Sequence, residues 1–140
     1  MNIEPKDLLG AWRLLEWSLV YADGRAAEFP LSADAAGFLM YTADGHVSAT
    51  LMRSGRPAGT PTSTAEKAAA YDAGFGYAGR YEVRDNTVFH SIEVATNPAL
   101  VGVTSTRHIR MEGDRLSLSG PDFAAGSART QRIDWRRAKD

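Results

Sequence analysis

The sequence predicts an all-β fold: an antiparallel up-and-down barrel of about eight strands with one short inserted helix as a lid. Three observations carry this. The chain is built from short runs in which apolar and polar residues alternate, it is punctuated by Asp23-Gly24, Asp44-Gly45, Asp85-Asn86 and Gly113-Asp114, and it has one helical stretch. Dipeptides of this type supply the positive φ that tight hairpin turns require. Many short strands joined by tight turns specify a sandwich or a barrel.

The strands are expected at 10–21, 25–30, 37–43, 46–53, 77–84, 87–95, 103–112, 115–119 and 128–136. The helix is expected at 64–75. Ser63 and Glu66 there have capping-box spacing, an Ala-rich run follows, and Gly74 and Gly76 stop it. Ala68, Tyr71 and Phe75 form a narrow apolar stripe that docks the helix on a barrel mouth or flank. With 140 residues the whole chain, 1–140, is expected to be a single domain.

Composition removes several function classes. Sixteen basic and seventeen acidic residues give a net charge of −1 with no basic block, so no nucleic-acid partner is expected. The chain has no cysteine, which excludes disulfides, thiolate nucleophiles and Cys-bound zinc. The N-terminus lacks a basic segment followed by an apolar one, and no apolar run approaches the ~20 residues of a membrane span. No membrane contact and a cytoplasmic location are the expectation.

Alternation along each strand assigns faces. A two-residue Asp44-Gly45 loop pairs Met40 with Ala49 and Phe38 with Leu51, which places Phe38, Met40, Val47, Ala49 and Leu51 inside. The opposite face, Leu39, Tyr41, Ser48, Thr50 and Met52, is too apolar for plain solvent. Cover by the helix, or a homodimer contact through Leu39, Tyr41 and Met52, would account for it. In the next hairpin a two-residue Asp85-Asn86 loop sets Tyr81 opposite His90. Tyr77, Gly79, Tyr81 and Val83 face inward, as do Val88, His90, Ile92 and Val94. Ser105 and Arg107 share an inward face with Val103, Ile109 and Met111, and Gln131 alternates inward with Ile133 and Trp135.

An interior holding Tyr81, His90, Ser105, Arg107 and Gln131 among aliphatic walls is a pocket with a few convergent polar groups. A buried guanidinium keeps its proton and needs an acidic or carbonyl partner, which a ligand oxygen would supply. The competing reading packs Arg107 on an aromatic such as Trp12 at a barrel end. Likewise, His90 and Tyr81 suit acid–base catalysis with Arg107 as an oxyanion clamp, or they form a satisfied cross-strand pair.

Other chemistry finds no support. His90 and Glu93 fall on opposite strand faces, so no metal is expected. No Gly-x-Ser-x-Gly elbow, phosphate loop or dinucleotide fingerprint is present, and the inward sets hold no Asp or Glu, so no cofactor is expected.

Gly10-Ala-Trp12 at the start of the first strand, with a basic residue late in the chain, resembles the Gly-x-Trp signature of lipocalin and calycin barrels. A longer match is similar to the lipocalin-like domain family of small bacterial proteins. It rests on Gly37, Leu39-Met-Tyr-Thr42, Asp44-Gly45, Ser48-Ala49, Leu51-Met-Arg53, Gly55-Arg-Pro57, Gly79, Tyr81-Glu-Val83, His90, Glu93, Gly102, Arg107 and Gly113-Asp-Arg-Leu116. The chain departs from that pattern at Ala99-Leu100, where the family usually has Asn-Trp, and at Ile109, where an aromatic is common. The resemblance implies a barrel with an internal cavity, and some similar proteins accompany natural-product pathways as binders or cyclase-like enzymes.

The expected function is therefore binding of a small hydrophobic molecule that bears a carboxylate or carbonyl group. Phe38, Met40, Tyr81, His90, Ser105, Arg107 and Gln131 are expected to line its site. A cofactor-free isomerase, cyclase or dehydratase using His90 and Tyr81, and an interaction module with a filled core, are the alternatives.

Overall fold

A computed structural model of the chain describes residues 2–121 and 129–139. Eight antiparallel strands close on themselves in chain order: β1 (Gly10–Tyr21), β2 (Ala36–Tyr41), β3 (His46–Met52), β4 (Gly74–Arg84), β5 (Thr87–Ala95), β6 (Thr104–Glu112), β7 (Arg115–Pro121) and β8 (Arg129–Arg137). β8 pairs with β1, so no edge is left exposed. The expected up-and-down barrel is what forms. Ala128, the first residue of the last expected strand, lies outside the described residues.

Among the described residues two helices accompany the strands, α1 (Pro5–Leu8) and α2 (Thr64–Asp72), with a 3₁₀ turn at Pro98–Leu100. The capping box at α2 is present: the Ser63 hydroxyl accepts from the Glu66 amide and the Glu66 carboxylate accepts from the Ser63 amide. The helix ends at Asp72, and β4 begins at Gly74, so Phe75 belongs to the strand. The stretch 25–30 does not form a strand of the barrel. It makes one antiparallel bridge, Leu19 to Glu28, with hydrogen bonds of 2.8 and 3.0 Å.

Connection length sorts the two ends of the barrel. β2–β3, β4–β5 and β6–β7 join through tight turns at one end, where the chain also enters β1 and leaves β8. The long connections 22–35, 53–73 and 96–103 gather at the other. The tight end is sealed. Leu8 and Trp12 are fully buried there, and the Trp12 indole donates to the Leu8 carbonyl at 2.9 Å. The Arg137 guanidinium lies 4.1 Å from the Trp12 ring and donates to the carbonyls of Leu9 (2.7 Å) and Asp7 (2.9 Å). The residue stacked on Trp12 is thus Arg137. Arg107, expected as a candidate for that place, lies elsewhere.

Register corrects the first hairpin. Thr42 donates its amide to the His46 carbonyl, and β2 pairs Tyr41 with Val47 and Leu39 with Ala49. Three residues, Ala43 to Gly45, make the loop. Only Gly45 takes positive φ (92°), and its amide returns to the Thr42 carbonyl, a type I turn closed by a left-handed glycine. The one-residue slip from the expected pairing turns β2 over. Phe38 and Met40, expected inside, are 37% and 46% exposed, whereas Leu39 and Tyr41 are 1% and 3% exposed. Of the expected homodimer face, Leu39 and Tyr41 are therefore turned into the barrel, and Met52 alone is exposed. Val47, Ala49 and Leu51 on β3 are buried as expected.

The second hairpin follows its expectation at the turn. Asp85 and Asn86 both take positive φ (51° and 56°), and Tyr81 stands opposite His90. A bulge between Ala78 and Gly79 then changes the pairing, so that Val94, expected inside, is 63% exposed. Gly79 permits the bulge: a Cβ there would fall 1.9 Å from the Ser91 carbonyl oxygen.

Candidate functional site

The strands enclose a cavity of about 790 Å³ that reaches the end carrying the long connections. Tightly packed interiors leave few voids larger than a water molecule, so a hollow of this size is a feature of the fold and not a packing defect. Trp17, Leu39, Leu51, Leu118, Ile133 and Trp135 form much of its apolar wall. Pro30, Tyr71, Asp72, Leu100 and Pro121 contribute from the mouth. The last turn of α2 thus stands at the rim, where Tyr71 is half-exposed.

Trp17 reaches the wall through a second irregularity. The β1–β8 register shifts between Leu14 and Glu16, so Trp12 and Leu14 face inward before the shift and Trp17 and Leu19 after it. Strict alternation would have placed Trp17 on the face opposite Trp12. Its ring meets Phe75 edge to face at a centroid separation of 5.3 Å.

Four of the sequence-predicted residues meet in this cavity: His90, Ser105, Arg107 and Gln131. They come from β5, β6 and β8, and their inward direction follows from the pairing of His90 with Ser105 and of Val88 with Arg107. Phe38 and Met40 point away from it for the reason given above. Tyr81 is buried but does not line the cavity. Its hydroxyl donates to the Thr42 carbonyl at 2.9 Å and so ties β4 to the first hairpin at the sealed end. It stands across from His90 in register without bonding to the imidazole.

The partners of His90 are two other tyrosines. Tyr41 Oη lies 2.7 Å from Nε2, and Tyr77 Oη lies 2.8 Å from Nδ1. Tyr41 packs at the sealed side, its ring 4.7 Å from that of Tyr81, and it does not border the cavity. Tyr77 does border it. Tyr77 already belonged to the inward set of β4 in the sequence, but its link to His90 depends on the path of the chain beyond the bulge. Tyr41 carried no such signal, because the β2 register was misplaced by one residue.

Burial governs the protonation of this trio. Desolvation, with the Arg107 charge as a smaller contribution, lowers the His90 imidazole to about 3, so the ring is neutral at ordinary pH. Burial also pushes the Tyr77 phenol up to about 12, against an opposing pull from Arg107, and it raises Tyr41 well above its usual range. All three groups are therefore uncharged hydrogen-bonding groups, and both nitrogens of His90 are engaged.

Arg107 is the cationic group of the cavity wall, and its field reaches both His90 and Tyr77. Its Nη1 donates to the Thr106 carbonyl at 2.9 Å. Gly120, on the neighbouring strand, leaves the room the side chain occupies: a Cβ there would lie 3.1 Å from Nη1 and 3.3 Å from Cδ of Arg107. Among the described residues no group of three or more His, Asp or Glu side chains is arranged to hold a metal ion. No helix among them is long and apolar enough to cross a membrane.

No curated protein matches the chain. Residues 9–138 match the lipocalin-like domain, a span that runs from the residue before β1 to the residue after β8. The closed eight-stranded barrel, the Trp12–Arg137 stack at its sealed end and this nearly full-length match agree: the chain belongs to the lipocalin-like domain family.

Proposed function

We propose that the barrel binds a small hydrophobic molecule bearing a carboxylate or carbonyl group, with the apolar part inside the cavity and the oxygen directed at Arg107. The observation that carries this reading is the position of the Arg107 guanidinium on the wall of a largely apolar hollow of about 790 Å³. Sites for small ligands commonly measure about 300–1,000 Å³ and combine apolar walls with a few placed polar groups. Among the described residues the one carboxylate bordering the cavity, Asp72, stands at its mouth, so the described interior favours an acceptor or an anion over a cation. The engagement of both His90 nitrogens by tyrosines weighs against direct acid–base attack by that imidazole on a substrate, and this is why binding is preferred to an isomerase or cyclase activity.

Two fluorescent probes with the same aromatic skeleton test the reading: 8-anilinonaphthalene-1-sulfonate, an anion, and N-phenyl-1-naphthylamine, its neutral counterpart. Arg107→Met is expected to weaken the sulfonate by about tenfold or more, the worth of a hydrogen bond to a charged group, and to leave the neutral probe nearly unchanged. Equal effects on both probes, or no binding of either to the wild-type protein, would overturn the proposal.

A further inference from the structure

The Tyr41–His90–Tyr77 chain has a direction. A neutral imidazole carries one N–H and one acceptor nitrogen, so one of the two phenols donates to the ring and the other accepts from it. The phenol that accepts keeps its own hydrogen for a third group. If Nε2 carried the proton, Tyr41 would accept, and its hydroxyl hydrogen would be left at the sealed side of the barrel. There Tyr41 is 3% exposed and has no second hydrogen-bond partner among the described residues. Buried donors without acceptors are avoided in folded proteins. If Nδ1 carries the proton, Tyr41 donates to Nε2, Nδ1–H donates to Tyr77, and the hydrogen left over belongs to the phenol that borders the cavity.

We infer that His90 is held as its Nδ1–H tautomer, so that Tyr77 turns its phenolic hydrogen into the cavity and donates it to an acceptor oxygen of the ligand. This rests on the cavity being a ligand site, as proposed above. Arg107 and Tyr77 are then two donors of different character in one hollow, a fixed cation and a neutral phenol. The pair suits a ligand oxygen that only accepts, such as that of a carboxylate or ketone, over an alcohol or amine. His90 acts as a positioning residue, because its imidazole holds Tyr77 and both of its nitrogens are engaged by the two phenols.

The test begins with the ligand-free protein. Long-range ¹H–¹⁵N correlation spectra distinguish Nδ1–H from Nε2–H rings, and the exposed His46 and His108 are assigned by His46→Gln and His108→Gln. The expected result for His90 is a neutral Nδ1–H ring. Tyr77→Phe is then expected to weaken 8-anilinonaphthalene-1-sulfonate by about tenfold or more, as for a hydrogen bond to a charged group. A neutral Nε2–H ring, a charged ring, or unchanged sulfonate affinity in Tyr77→Phe would overturn this inference while leaving the cavity proposal standing. Failure of the wild-type protein to bind either aromatic probe would instead remove the ligand reading on which it rests.

Discussion

Tyr41 Oη and His90 Nε2 are joined by a 2.7 Å hydrogen bond between side chains that lie 49 residues apart in sequence and are both buried. Tyr41→Phe removes the phenol and leaves one imidazole nitrogen without its partner in a place 2% exposed. A stability loss of about 1–3 kcal/mol is expected, the cost of an unmet buried polar group, and urea unfolding measures it.

The same burial makes stability depend on pH. The His90 imidazole titrates at about 3 in the folded chain and near 6.5 when unfolded. Between those values the unfolded chain binds a proton that the native one refuses. Its contribution is therefore complete above pH 6.5 and is lost as pH falls towards 3, by at most about 1.4 kcal/mol per pH unit. His90→Gln keeps a donor and an acceptor at this position and removes the titration. Unfolding free energies from pH 7 to 4.5 are expected to fall more steeply for the wild-type protein than for the variant.

Gly120 is expected to matter through Arg107. A Cβ at this position would lie 2.8 Å from the Thr106 carbonyl oxygen as well as 3.1 Å from the guanidinium. Gly120→Ala must shift backbone or displace the side chain, at a cost of roughly 1–3 kcal/mol typical of overpacking. The anionic naphthalene probe should lose affinity in this variant and the neutral one should not, as read by fluorescence titration.

Arg137 ties the other end of the barrel together. Arg137→Gln removes the cation over Trp12 and the two bonds to Leu9 and Asp7 that hold α1 against the barrel. A loss on the order of 2 kcal/mol is expected in urea unfolding. Probe affinities should stay at the wild-type level, because the cavity lies towards the opposite end.

How much of this was legible in the sequence depended on whether two readings of a turn differed in the faces they buried. Asp85-Asn86 left little choice, and its two-residue loop gave the Tyr81–His90 register correctly. Asp44-Gly45 suits both a two-residue loop and a three-residue loop closed by a left-handed glycine. The strand before it did not decide, because Phe38 and Met40 on one face are as apolar as Leu39 and Tyr41 on the other. In β6 the polar pattern was sufficient, and Ser105 and Arg107 were placed on the wall they occupy. The bulges in β1 and β4–β5 were out of reach for alternation, which has no means to count an extra residue, and with them went Trp17 and the Tyr77–His90 contact. The barrel was therefore readable from turns and pattern, whereas the hydrogen-bonded trio at its centre depended on register.

The proposed ligand is a hydrophobic molecule held in the cavity by its acceptor oxygen. A crystal structure of the protein with decanoate tests it most directly. The alkyl chain is expected between Trp17 and Leu118, and the carboxylate within hydrogen-bond distance of the Arg107 guanidinium and the Tyr77 hydroxyl. A decanoate bound the other way round, with its carboxylate in solvent at the mouth, or a cavity that stays free of it at saturating concentration, would overturn this mode of binding.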